Sequence, residues 1–140
     1  MEPLVAKPNL AGHLRACGVT PTQQRLIISE VLFDEQQHLS AEQILRKVAH
    51  RDASVSRATV YNTLNLFVDK KLIKALIINK SKVFYDTNVS NHHHVYNVDT
   101  GELVDVCADH VVISALPPLP SGIELVRADV VIRVRQAPVA

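Results

Sequence analysis

Apolar residues recur at helical spacing through the first half of the chain and then shift to alternation. Leu26, Ile27, Val31 and Leu32 predict a helix that opens on Thr20-Pro21-Thr22-Gln23. Thr20 is its expected N-cap, Pro21 suits the first helical position and Gln23 completes a capping box. The end falls near Asp34, and a shorter helix from about Leu10 to Ala16 precedes it, stopping at Gly18. Ser40-Ala41-Glu42-Gln43 repeats the capping logic ahead of Ile44, Leu45 and Val48, with an end near His50. A third start at Ser56 leads into Val60, Leu64, Phe67 and Val68. Ala58, Asn62 and Asn65 fall on the opposite face, with Thr59 and Tyr61 on its flanks and Arg57 in the first turn.

The pattern then becomes strand-like. Ile73–Ile78 and Lys82–Tyr85 are rich in β-branched and aromatic residues, and Asn79-Lys80-Ser81 between them signals a hairpin. Three helices followed by a hairpin with lysines at its tip is winged-helix order. Polar Thr87–Asn91 reads as a linker. Beyond it we expect a strand over His92–Val98, a turn at Asp99-Thr100-Gly101, a strand over Glu102–Cys107 and a short helix from Asp109 to about Leu116. Pro117, Pro118 and Pro120 break the chain. A long last strand, Ile123–Arg135, places Val126, Ala128, Val130, Ile132 and Val134 on one face. So few strands with an apolar face are marginal alone, which predicts a two-fold dimer. The expected class is α+β: a winged-helix (helix-turn-helix) domain over residues 1–86, a hinge over 87–91, and a small α/β dimerisation and sensing domain over 92–140.

Composition refines this picture. The chain has 140 residues, 47% hydrophobic and 21% charged, enough to bury a core without cross-links. No apolar run reaches the roughly 20 residues of a membrane span, and the N-terminal stretch lacks a signal-peptide pattern. Cys17 and Cys107 are far apart, which fits a reducing cytoplasm. The net charge of +1 conceals an asymmetry. Residues 1–86 carry 12 basic and 8 acidic side chains, residues 87–140 carry 3 and 6, and four of the seven histidines fall in this acidic part. That suggests a nucleic-acid module joined to a ligand module.

Two groups of residues carry candidate chemistry. The first is the helix after Ser56. In a helix-turn-helix, the second helix lies in the major groove of DNA with its N-terminal residues on bases and phosphates. Ser56, Arg57, Thr59 and Tyr61 can donate to phosphate, Asn62 can pair with adenine, and Lys80 and Lys82 would add salt-dependent backbone contacts. The same face reads as ordinary solvated surface, and periodicity alone favours that. The second group is His92-His93-His94. Alternation puts His92 and His94 on one face and His93 on the other. Two imidazoles at i and i+2 can chelate a divalent ion with help from Asp86 and Asp105, a donor set that suits iron, manganese or zinc. A surface His triplet without a role is an equal reading of the bare sequence. A metallohydrolase would need an open coordination site, a general base and a pocket, and no H-E-x-x-H or nucleophile motif occurs, so no enzyme is expected.

Ser56-Arg57-Ala58-Thr59-Val60-Tyr61-Asn62-Thr63-Leu64-Asn65 resembles the recognition-helix signature of the ferric uptake regulator family. Thr20–Arg25 and His38–Ile44 resemble that family's earlier helix starts, and the likeness is colinear from about Leu10 to Arg135. The resemblance implies a cytoplasmic homodimer that binds double-stranded DNA at an AT-rich operator, with Arg57, Ala58 and Tyr61 in the DNA-facing segment. It also implies a regulatory Fe2+, Mn2+ or Zn2+ site at His38, Asp86, His92, His94 and Asp105. One departure is plain. Family members hold a structural zinc with paired cysteines, whereas Asn97 and Thr100 stand at the first pair's positions, so no four-cysteine structural zinc is expected. The His triplet, the missing cysteines and Leu116–Glu124 are similar to the iron response regulator branch. That branch implies haem- or iron-responsive control of iron and haem genes, with His92, His93 and His94 as haem ligands and haem or a haem-synthesis enzyme as partner. The alternative is an Fe(II)/Mn(II)-dependent peroxide-sensing repressor, in which oxidation of His38 or His92 ends DNA binding.

Overall fold

The computed structural model describes residues 9–34 and 38–139, in two compact units that part between Val89 and Ser90. The expected domain limits at residues 1 and 140 lie outside the described residues.

The first unit is a winged helix. Its elements run α1 (Leu10–Ala16), α2 (Gln23–Phe33), β1 (His38–Ser40), α3 (Ala41–Arg51), α4 (Arg57–Asp69), β2 (Lys74–Asn79) and β3 (Lys82–Asp86). The three strands form an antiparallel sheet in the order β1-β3-β2. Side-chain caps decide where the helices begin. Ser40 Oγ accepts the Gln43 amide at 3.3 Å, while Gln43 Oε1 accepts the Ser40 amide at 2.8 Å, a reciprocal box that satisfies two helix-end donors. Ser56 Oγ accepts the Thr59 amide at 3.1 Å. At α2 the cap is Thr22, not the expected Thr20. Thr22 is extended and its hydroxyl accepts the Arg25 amide at 3.3 Å, so Gln23 opens the helix. Thr20 serves through its carbonyl, which accepts the Arg25 guanidinium at 2.9 Å.

The helical stripes converge on one core: Leu14, Ile28, Leu32, Ile44, Leu64 and Phe67 are fully buried, and Val48, Val60 and Ile73 nearly so. β1 has no counterpart in the expected elements. Its three residues pair His38 with Asp86, Leu39 with Tyr85 and Ser40 with Phe84, which seats the start of α3 on the wing sheet.

The second unit holds β4 (His92–Asn97), β5 (Leu103–Cys107), a single 3₁₀ turn (Ala108–His110) and β6 (Val131–Val134), in the order β5-β4-β6. β4 and β5 are antiparallel, and their turn closes on Gly101, which has φ +76°. β6 lies parallel to β4, pairing His94 with Val131 and Asn97 with Val134. Two expectations need correction here. The helix over Asp109–Leu116 is only the 3₁₀ turn: Val111, Val112 and Ile113 are poor helix formers, and Val112, at 86% exposed, has no surface to pack on. The strand over Ile123–Arg135 shrinks to the four residues Val131–Val134, which pair with His94–Asn97 of β4. Among the described residues of this unit, the buried apolar side chains are Tyr96 and Leu103, while Val104, Val126, Ile132 and Val134 are exposed. No helix among the described residues is long and apolar enough to cross a membrane.

Candidate functional site

On α4, Ala58, Asn62 and Asn65 are exposed, Thr59 and Tyr61 half-buried, and Val60, Leu64 and Phe67 buried. Hydrophobic burial thus turns a polar strip outward. Ser56 is both the cap and a partner of Thr59, with Oγ to Oγ1 at 2.9 Å. Arg57 is held over the helix surface: its guanidinium pairs with Glu42 at 3.0 Å and lies 5.4 Å from the Tyr61 ring centroid. Nothing in the sequence pattern signals the Glu42 partner, which comes from the first turn of α3. At the hairpin, Lys80 is exposed and the Lys82 ammonium lies 5.4 Å from the Phe84 ring centroid. An open polar groove of about 610 Å³ runs along α4, lined by Thr59, Asn62 and Thr63 and, across from them, Thr22, Gln24 and Arg25. Sequence reasoning misses the α2 side of that groove, although a cap at Thr22, which points these polar residues outward, is a readable signal for it.

The ligand-type residues fall into two groups. In the first unit, His38 and Asp86 are register partners on β1 and β3, so their side chains leave the same face of the sheet. Asp86 is 3% exposed and accepts the Asn88 amide at 2.8 Å. Burial raises the Tyr85 phenol above its ordinary pKa, with the neighbouring Tyr61 adding to the shift.

In the second unit, His92 and His94 rise from one face of β4 and Asp105 from β5 opposite His94. His92 Nε2 is 3.6 Å and His94 Nε2 3.3 Å from Asp105 Oδ1, and the two rings are 4.6 Å apart. Both histidines are buried, at 6% and 4% exposed. A carbonyl can only accept, so the 2.8 Å contact of His92 Nδ1 with the Ser90 oxygen places the ring proton on Nδ1. In the neutral ring this leaves the Nε2 lone pair, beside Asp105, for an ion. This is the outer support that metal-ligating histidines characteristically have. Three donor atoms, one from each residue, lie within 4.8 Å of one another. Two borderline nitrogens and one hard oxygen are a set that a divalent first-row ion satisfies, so the residues present fit such an ion.

His93 points to the other face, where its Nδ1 accepts the Val130 amide at 3.0 Å. Asn97 and Thr100, at the positions where the resemblance would put thiolates, close the β4–β5 turn. Asn97 Oδ1 accepts the Asp99 and Thr100 amides at 2.9 and 3.2 Å, and Thr100 Oγ1 accepts the Glu102 amide at 3.2 Å.

The sequence profile of the ferric uptake regulator family matches residues 16–128, most of the chain. The chain belongs to the ferric uptake regulator family. Among its relatives, the peroxide-responsive repressors PerR of Staphylococcus epidermidis and Staphylococcus aureus are each 34% identical over 92 residues, 66% of this chain. The match covers 61% and 62% of their lengths, less than two thirds. In three dimensions, the ferric uptake regulator of Pseudomonas aeruginosa, solved with manganese, superposes with a TM-score of 0.68 at 27% identity, over 91% of this chain and 97% of that one. The Vibrio cholerae ferric uptake regulator gives 0.69 at 22% identity, over 91% and 100%, a likeness of fold.

Proposed function

We propose that the protein is a homodimeric, divalent-metal-responsive regulator that binds double-stranded DNA through α4. The observation that carries this reading is the convergence of His92, His94 and Asp105, with the His92 tautomer set by the Ser90 carbonyl. His38 and Asp86, register partners in the first unit, are the further ligands that the family resemblance implies. Bound at the second unit's cluster, a divalent ion would supply a coordinating centre that favours a DNA-binding state of the protein over others. The chain's own residues do the rest. Ser56 and Thr59 hold the start of α4. Arg57, Ala58, Tyr61 and Asn62 present the face that enters a groove, and Lys80 and Lys82 add phosphate contacts from the wing. The exposed valines and isoleucine of the second unit support dimerisation, since Tyr96 and Leu103 are too small a core to stand alone.

The kinship with peroxide-responsive repressors supports a second reading of the same site, in which oxidation of His38 or His92 lowers its affinity for metal and so for DNA. A haem-responsive role, suggested by the iron response regulator resemblance, has weaker support. His92, His93 and His94 are all buried, and His93 already commits Nδ1 to Val130.

The test is to strip the protein with chelator and titrate it with Mn(II), Fe(II), Zn(II) or haem while following binding to an AT-rich duplex. Tighter binding on adding an ion, lost in the His92→Ala/His94→Ala variant, is the expected result. DNA affinity indifferent to every ion refutes the proposal. A Soret shift with release of DNA favours haem, and an added oxygen on His38 or His92 after peroxide favours the second reading.

A further inference from the structure

β4 has two working faces, and only one of them faces the ion site. The other carries His93, 4% exposed, whose Nδ1 accepts the amide of Val130, a residue 37 positions away that immediately precedes β6. The adjacent backbone closes a second bond to the same residue, with the His94 amide donating to the Val130 carbonyl at 3.1 Å. Val130 is therefore held at both polar atoms, by a side chain on one face of β4 and by the backbone of a proposed metal ligand. The segment that leads into β6 has no regular structure of its own. Val111–Val130 has no helix or strand, and β6 itself is four residues long. An amide left without its acceptor in a half-buried place costs about as much as several exposed contacts supply, so this one bond has leverage over where β6 begins.

We infer that His93 is a positioning residue that couples the ion site to β6. Because His92, His93 and His94 are consecutive on one strand, ordering of His92 and His94 by a shared ion also orders the peptide units that hold His93 and the His94 amide. The Val130 clamp tightens with them. β6 displays Ile132 and Val134, so ion loading on one face of β4 is read on the other face as a firmer apolar edge. The inference rests on the proposed ion site, and it adds a route by which loading that site reaches a surface available to a second copy.

The test follows amide exchange by NMR in the full chain, with and without Zn(II), a diamagnetic probe. In the wild type, Zn(II) is expected to slow exchange of the Val130 amide about tenfold, the equivalent of one hydrogen bond firmly made. His93→Leu abolishes that slowing while His92 and His94 still shift on Zn(II) addition. His93→Gln, which restores an acceptor, recovers part of it. A purely structural His93 would change Val130 exchange equally with and without Zn(II). If Zn(II) moves the His92 and His94 resonances but leaves Val130 exchange unchanged in the wild type, the coupling is refuted and the ion site stands. If Zn(II) moves neither histidine, the ion site itself fails. Should His93→Leu not fold, the wild-type comparison with and without Zn(II) and the His93→Gln variant still decide the matter.

Discussion

Arg57→Ala separates a folding role from a binding role. In the structure Arg57 makes two contacts, an ion pair with Glu42 and a stacking contact with Tyr61. Both side chains of the ion pair are 64% exposed, which puts the pair in the class worth about 0.2–1 kcal/mol. An exposed cation–π contact adds roughly 0.5–1 kcal/mol. Since both are screened and share one flexible side chain, the expected loss of folding stability is about 1 kcal/mol or less, read as a shift in urea midpoint with unchanged m-value. If Arg57 instead turns from Glu42 to a DNA phosphate, the variant loses one released counterion per subunit. The slope of log K against log salt should then fall by about 0.9 for each contacting subunit. Fluorescence anisotropy on an AT-rich duplex over a potassium chloride series gives that slope directly. Glu42→Gln is the control, because it frees Arg57 without removing it and should bind DNA as tightly as the wild type or more so. An unchanged slope in Arg57→Ala, or a stability loss above about 2 kcal/mol, would refute the reasoning.

Three further outcomes follow from other parts of the molecule. Ser40→Ala removes half of the reciprocal cap of α3 and should cost about 1 kcal/mol in chemical denaturation, with Ser40→Gly costing only a few tenths. His94→Ala, competed against a fluorescent chelator, should weaken Zn(II) binding at least about a hundredfold, and Asp105→Asn, which replaces a carboxylate ligand by a neutral amide, should weaken it by about tenfold or more. The raised Tyr85 pKa means that the folded state favours the neutral phenol. That contribution is complete below the ordinary tyrosine pKa and is lost as pH rises through the higher folded value. Tyr85→Phe should therefore lessen the alkaline fall in stability, and the 295 nm titration of the wild type should show one phenol ionising late.

Local rules explain why much of the fold was legible. Caps at Ser40 and Ser56 are decided within four residues, so their chemistry is written in consecutive letters. The α4 stripe of Val60, Leu64 and Phe67 follows from 3.6-residue periodicity, and the separation of His93 from His92 and His94 follows from strand alternation. Where two neighbouring residues compete for one local role, that legibility ends. Thr20 and Thr22 both suit a cap, and only the backbone geometry selects Thr22.

The chain's own letters thus settled the order of the four helices and the hairpin of the first unit, the outward strip on α4 and the pairing of His92 with His94 on one face. Tertiary structure decided which distant groups meet: His38 with Asp86 across β1 and β3, Asp105 with His94, Glu42 with Arg57, and Val130 with His93. It also decided that the last strand stops at four residues and that the helix after Cys107 ends within one turn. The physical reason is the range of the forces involved. Capping and periodicity act within one turn or one pleat. Strand length and ligand geometry depend on whether a partner far along the chain arrives to accept the hydrogen bond.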